Sequence, residues 1–96
     1  MAFALTAKWT AKEGEGERVR DALGRLAGPS REEPGCRFYQ PCRDPENPEL
    51  FLIFEIYDDA DAFAAHGDSE HFQRIAVGEA FALLASRERT FYETVE

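Results

Sequence analysis

The sequence predicts an α+β fold of the ferredoxin-like kind, in the order β-α-β-β-α-β. Three observations carry this. Period-two runs occur at residues 3–10, 36–43, 50–57 and 89–95. Helical apolar stripes occupy residues 17–27 and the region from 58 to about 85. The 96 residues leave only short turns between these segments, as expected of one domain spanning 1–96.

In the first strand Phe3, Leu5, Ala7 and Trp9 share a face, and Ala4, Thr6, Lys8 and Thr10 share the other. Residues 12–16, rich in Gly and Glu, read as a turn. The first helix places Val19, Ala22, Leu23, Leu26 and Ala27 on one stripe. Glu17 and Asp21 sit early in it, where the helix dipole favours acids. Gly28-Pro29 is expected to end it. Ser30 and Glu33 then form a capping-box pattern for one further turn before Pro34-Gly35.

Residues 36–43 read as a second strand, with Pro41 marking an edge or a bulge. A polar loop at 44–48 leads into residues 50–57, where both faces are apolar apart from Glu55. Such a strand is expected to be covered on both sides. Asp59 is a possible N-cap for the next helical region. Gly67-Asp68-Ser69 interrupts that region, and Ser69 is expected to cap a longer helix to about Ala85. Two helices cover only one face of four strands. The other face would expose Phe, Ile, Leu and Trp side chains, so a second copy packed sheet to sheet is expected, making a homodimer.

The chain is 44% hydrophobic and 31% charged, as in an ordinary globular protein. Eight Phe, three Tyr and one Trp supply a core with material left for an apolar pocket. A net charge of −8 argues against nucleic-acid and membrane-surface partners. No run approaches the ~20 apolar residues of a membrane span. Residues 1–5 lack the pattern of a signal peptide, so a cytoplasmic location is expected. Cys36 and Cys42 on one strand would lie about 20 Å apart, too far for a disulfide.

Three stretches carry a family resemblance: residues 30–39 (SREEPGCRFY), 51–59 (FLIFEIYDD) and 65–72 (AHGDSEHF). In this order they resemble the antibiotic-biosynthesis-monooxygenase domain, and within it the small quinol-monooxygenase-like proteins. The likeness covers nearly the whole chain. It implies a dimeric α+β barrel with a pocket in each subunit between sheet and helices. Some members of the family oxidise phenols or quinols with O2 and no metal, flavin or haem; others degrade haem. Many relatives carry a Glu-x-Trp pattern where this chain has Glu55-Ile56-Tyr57. The haem-degrading branch fits poorly: residues 73–77 hold no His to ligate iron, and residues 3–10 hold no Asn.

His66 and His71, the only histidines, match the family's Ala-His-x-x-Ser-x-His-Phe pattern and are candidate general bases. A metal is not expected: their spacing puts the rings on different faces of a continuous helix, and two ligands are too few. Tyr57 is a candidate hydrogen-bond donor or aromatic wall. Trp9, Phe51, Ile53, Glu55, Phe63 and Phe72 are candidate substrate contacts. Glu55, an acid in an apolar run, needs a partner, and Arg37 across the hairpin is the candidate. Glu33 is read as fixing the Pro34-Gly35 turn, and Tyr39 as facing either pocket or dimer interface. The thiols have no His placed beside them in sequence.

The function expected is cofactor-independent oxidation of an electron-rich phenol, quinol or polyketide-like aromatic by O2. The alternatives are a non-catalytic small-molecule-binding barrel and an isomerase or cyclase of the same fold. Sequences of these classes lack cofactor motifs alike.

Overall fold

The computed structural model describes residues 1–96. Four strands, β1 (Phe3–Ala11), β2 (Cys36–Arg43), β3 (Leu50–Tyr57) and β4 (Leu84–Glu93), form one antiparallel sheet in the order β2-β3-β1-β4. Helices α1 (Gly16–Arg31) and α2 (Ala60–Asp68) lie on one face. A π-helical turn, Phe72–Val77, and a 3₁₀ turn, Ala80–Leu83, complete the helical layer. This is the ferredoxin-like split βαβ arrangement expected.

Alternation along the strands decides the faces. Leu5, Ala7 and Trp9 of β1 pair with Glu55, Ile53 and Phe51 of β3, and all six are buried under the helices. Val19, Leu23 and Leu26 of α1 close this core from above. The opposite face carries Phe38, Leu52, Phe54 and Tyr92, which stand well exposed, Phe54 at 41%. The uncovered apolar face anticipated from the sequence is therefore present. Trp9 is not on it: its parity places it in the core.

Helix α1 departs from expectation. It runs through Gly28-Pro29 to Arg31. Proline so near the end removes one backbone bond, while the extension buries Ser30 fully. The Arg31 guanidinium also donates to the Tyr39 carbonyl at 2.9 Å. Tertiary contacts thus outweigh the local stop signal, and Ser30 lies inside the helix rather than at a cap.

Asp59 does cap α2, accepting from the Ala62 amide at 2.8 Å. The helix after Ser69 is shorter than expected and widens into a π-helical turn. The Gly78 amide donates back to Gln73 at 3.0 Å, an i→i+5 bond, and a Cβ at Gly78 would collide with the Arg74 carbonyl. The chain turns into β4 at Leu84, five residues before the expected strand.

Candidate functional site

A cavity of about 190 Å³ lies between the sheet and the helical layer. Trp9, Tyr39 and Glu55 form part of its floor; Phe63, His66, Phe72 and Phe81 form much of its roof. The aromatic groups brace one another. Trp9 meets Phe81 edge-on at 5.7 Å, and Phe72 meets both Phe81, at 5.9 Å, and His66, at 5.0 Å.

His66 sits in the last turn of α2, and its side chain is almost wholly buried. Ser69 holds that turn: its hydroxyl donates to the His66 carbonyl at 2.7 Å and accepts from the Phe72 amide. The His66 ring donates from Nδ1 to Oε2 of Glu33, 2.8 Å away. A carboxylate only accepts, so Nδ1 carries the proton in the neutral ring and Nε2 keeps its lone pair. Nε2 lies on the side of Glu55, 3.9 Å from its Oε1. Burial lowers the His66 pKa below 6.5, with Glu33 pulling the other way. The ring is therefore neutral at pH 7.

Glu33 stands in the turn between α1 and β2. The Cys36 amide donates to its carbonyl at 3.0 Å, and the Gly35 carbonyl accepts from the Asp58 amide at 2.9 Å. A Cβ at Gly35 would collide with Ala62, so glycine lets this turn press against α2. That approach brings Glu33 to His66. His71 reaches the same oxygen, its Nε2 lying 2.5 Å from Glu33 Oε2. Glu33 Oε1 is buried without a partner.

Glu55 accepts a hydrogen bond from the Tyr57 hydroxyl at 2.7 Å. Burial pushes its carboxyl up to about 7, with the Tyr57 bond and the Arg89 charge opposing the rise. Arg37 is not its partner. A register shift between Cys36 and Phe38 leaves Arg37 outside the pairing, and its guanidinium binds Asp58 at 2.6 Å instead.

The structure thus brings Trp9, Glu55, Phe63, His66 and Phe72 to the cavity wall. Phe51 and Ile53 share Glu55's face but lie in the core beyond the cavity. Tyr57 is fully buried behind Glu55, and His71 stands behind Glu33; neither lines the cavity. Sequence reasoning left Tyr39 open between two places and passed over Phe81, Arg87 and Arg89, all on the wall. Arg87-x-Arg89 is a period-two pair, and Arg87 falls outside the strand expected at 89–95 because β4 begins at Leu84. The role of Glu33 carried no local signal, being 33 residues from His66.

Glu33, His66 and His71 offer three donor atoms within 4.8 Å of one another, a set able to hold a metal ion. Both sequence arguments against a metal fall here, because the helix breaks at Ser69 and Glu33 supplies a third group. The geometry also forms a hydrogen-bonded triad, one nitrogen of each ring meeting the same Glu33 oxygen. Cys36 and Cys42 are free, and burial raises the Cys36 pKa.

Among curated proteins none matches the chain. Solved structures do. The chain is similar to the protein PA3566 of Pseudomonas aeruginosa at 32% identity, with 99% of this chain and 95% of that one covered and a TM-score of 0.91. It is similar to SO0527 of Shewanella oneidensis at 25% identity, covering 97% and 90%, with a TM-score of 0.89. A structure described as an antibiotic biosynthesis monooxygenase shares the fold at 24% identity, covering 98% and 99%, with a TM-score of 0.89. The sequence profile of that family matches residues 2–77, which takes in α1, α2, Glu33 and both histidines. The chain therefore belongs to the antibiotic biosynthesis monooxygenase family.

Proposed function

We propose that the protein is a cofactor-independent monooxygenase that oxidises an electron-rich phenol or quinol with O2. The observation that carries this reading is His66. It is a buried, neutral imidazole on an aromatic cavity wall, tied through Nδ1 to a carboxylate, with Nε2 left to accept.

In this reading a phenolic hydroxyl enters between His66 Nε2 and Glu55. His66 takes its proton, and Glu33 stabilises the imidazolium that forms. The phenolate passes one electron to O2. The radical pair collapses at a ring carbon and forms a C–O bond to a peroxide. Loss of the ring proton and cleavage of the O–O bond leave a carbonyl and water. A quinol and O2 thus give a hydroxyquinone and H2O, with all four electrons supplied by the ring. The aromatic walls keep water from the radical pair. Tyr57 positions Glu55, and His71 positions Glu33. The site is proposed to work in a homodimer, each subunit carrying one cavity, with the exposed sheet faces packed together.

The test is oxygen uptake by the purified protein with a panel of quinols and anthrones. Uptake above the uncatalysed rate is expected. Binding of the same compounds without uptake would replace this reading with a non-catalytic binding barrel. Product formed without oxygen consumption would replace it with an isomerase or cyclase.

A further inference from the structure

We propose that the cavity selects a single-ring phenol or quinol carrying a carboxylate, held by Arg87 and Arg89 on its β4 side. The inference rests on the reading of the cavity as the site of phenol oxidation and narrows its substrate class.

The first observation is charge. The protein carries 19 acidic and 11 basic residues, so acids are plentiful as partners. Arg18, Arg25, Arg37, Arg43 and Arg74 are each paired with one. Arg87 and Arg89, on the cavity wall, form no ion pair. They rest on aromatic rings instead: the Arg87 guanidinium lies 3.8 Å from the Phe81 centroid, and that of Arg89 lies 5.4 Å from Phe91. Stacking occupies the flat face of a guanidinium and leaves its in-plane N–H groups free. Those donors form the fork that matches a carboxylate. Their alternate positions on β4 aim both at the same side of the sheet.

The second observation is size. A dry cavity of about 150 Å³ is known to take one benzene ring. At about 190 Å³, this one takes a ring with a small substituent rather than three fused rings. The two sides also differ. Glu55 of β3 and His66 of α2 accept or share a proton on one, and the arginines of β4, two strands from β3, present only donors on the other. A phenolic acid satisfies both sides in one orientation.

The experiment is anaerobic calorimetry with 2,5-dihydroxybenzoate, its methyl ester and anthrone, so that binding is read without turnover. The acid is expected to bind at least tenfold tighter than the ester, and anthrone to bind weakest. That preference should shrink with added salt and collapse in Arg87→Gln and Arg89→Gln. It should partly survive in Arg87→Lys and be unchanged in Arg74→Gln. Equal affinity for acid and ester, or tighter binding of anthrone, overturns the proposal on the wild-type protein alone, whatever the variants' folding. Oxygen uptake is measured separately. Selective binding without uptake removes the monooxygenase reading and leaves this one standing; uptake with no preference for the acid does the reverse.

Discussion

Two carboxyl groups near the cavity meet different surroundings. Glu33 receives two imidazole N–H groups on one oxygen, whereas Glu55 receives one phenolic O–H and has His66 Nε2 3.9 Å from the same oxygen. In the proposed chemistry Glu33→Gln keeps the shape but loses the charge that stabilises the imidazolium. His66→Ala should lower kcat by about 10²–10⁴-fold, the usual worth of a positioned base. His71→Ala should cost much less, since Nε2 of His66 is untouched. Steady-state oxygen-electrode kinetics on the folded variants distinguish the two; equal losses would end the assignment of His66 as base. The acid limb of kcat/KM should fall below pH 6.5, the direction in which burial moves His66. Glu55 also makes stability depend on pH. Its folded pKa of about 7 exceeds its ordinary value of 4.5, so its contribution is complete below pH 4.5 and is lost as pH rises through 7. The loss is at most about 3 kcal/mol. His66, with its lowered pKa, works in the opposite sense below 6.5. Urea titrations of Glu55→Gln against wild type between pH 5 and 8 should show this decline vanish.

At the scale of elements, the site depends on two turns that bring distant segments together. Gly35 lets the turn carrying Glu33 touch Ala62 of α2. Gly35→Ala must push the two apart, costing about 1–3 kcal/mol as overpacking does. It should also loosen the Glu33–His66 bond, raising the His66 pKa less than an intact pair would. Thermal unfolding and the imidazole NMR shifts of His66 report the two effects; an unchanged Tm would mean that the turn is freer than its contacts imply. The break at Ser69 is the second turn. Ser69 adopts extended backbone at ψ 152°, and this re-aims the chain so that the His66 and His71 rings stand 6.1 Å apart. On an unbroken helix they would diverge.

At the scale of the whole molecule, the helices leave one sheet face bare, with Phe38, Leu52 and Phe54 each at least 39% exposed. Phe38 and Phe54 meet edge-on at 5.6 Å and form the centre of an apolar patch. Contiguous patches of this kind mark interfaces. Phe54→Lys is expected to give a monomer by sedimentation at micromolar concentration, while wild type runs as a dimer. A wild-type monomer would remove the homodimer from the proposal.

The sequence by itself determined the layers. Period-two and period-3.6 patterns are local properties of the backbone, so strands, helices, buried faces and the uncovered sheet could be read from them. Glu55, His66 and Phe72 were legible as cavity candidates because they stand in the stretches that carry the family likeness, and Trp9 and Phe63 because each lies on an apolar face of its element. Only the tertiary structure decided which groups meet. Glu33 joins His66 across 33 residues, and Arg37 leaves Glu55 because of a one-residue register shift. The helix runs past Gly28-Pro29, and β4 starts early enough to place Arg87 and Arg89 on the wall. Each of these outcomes is set by packing between segments far apart in the chain, which no local pattern records.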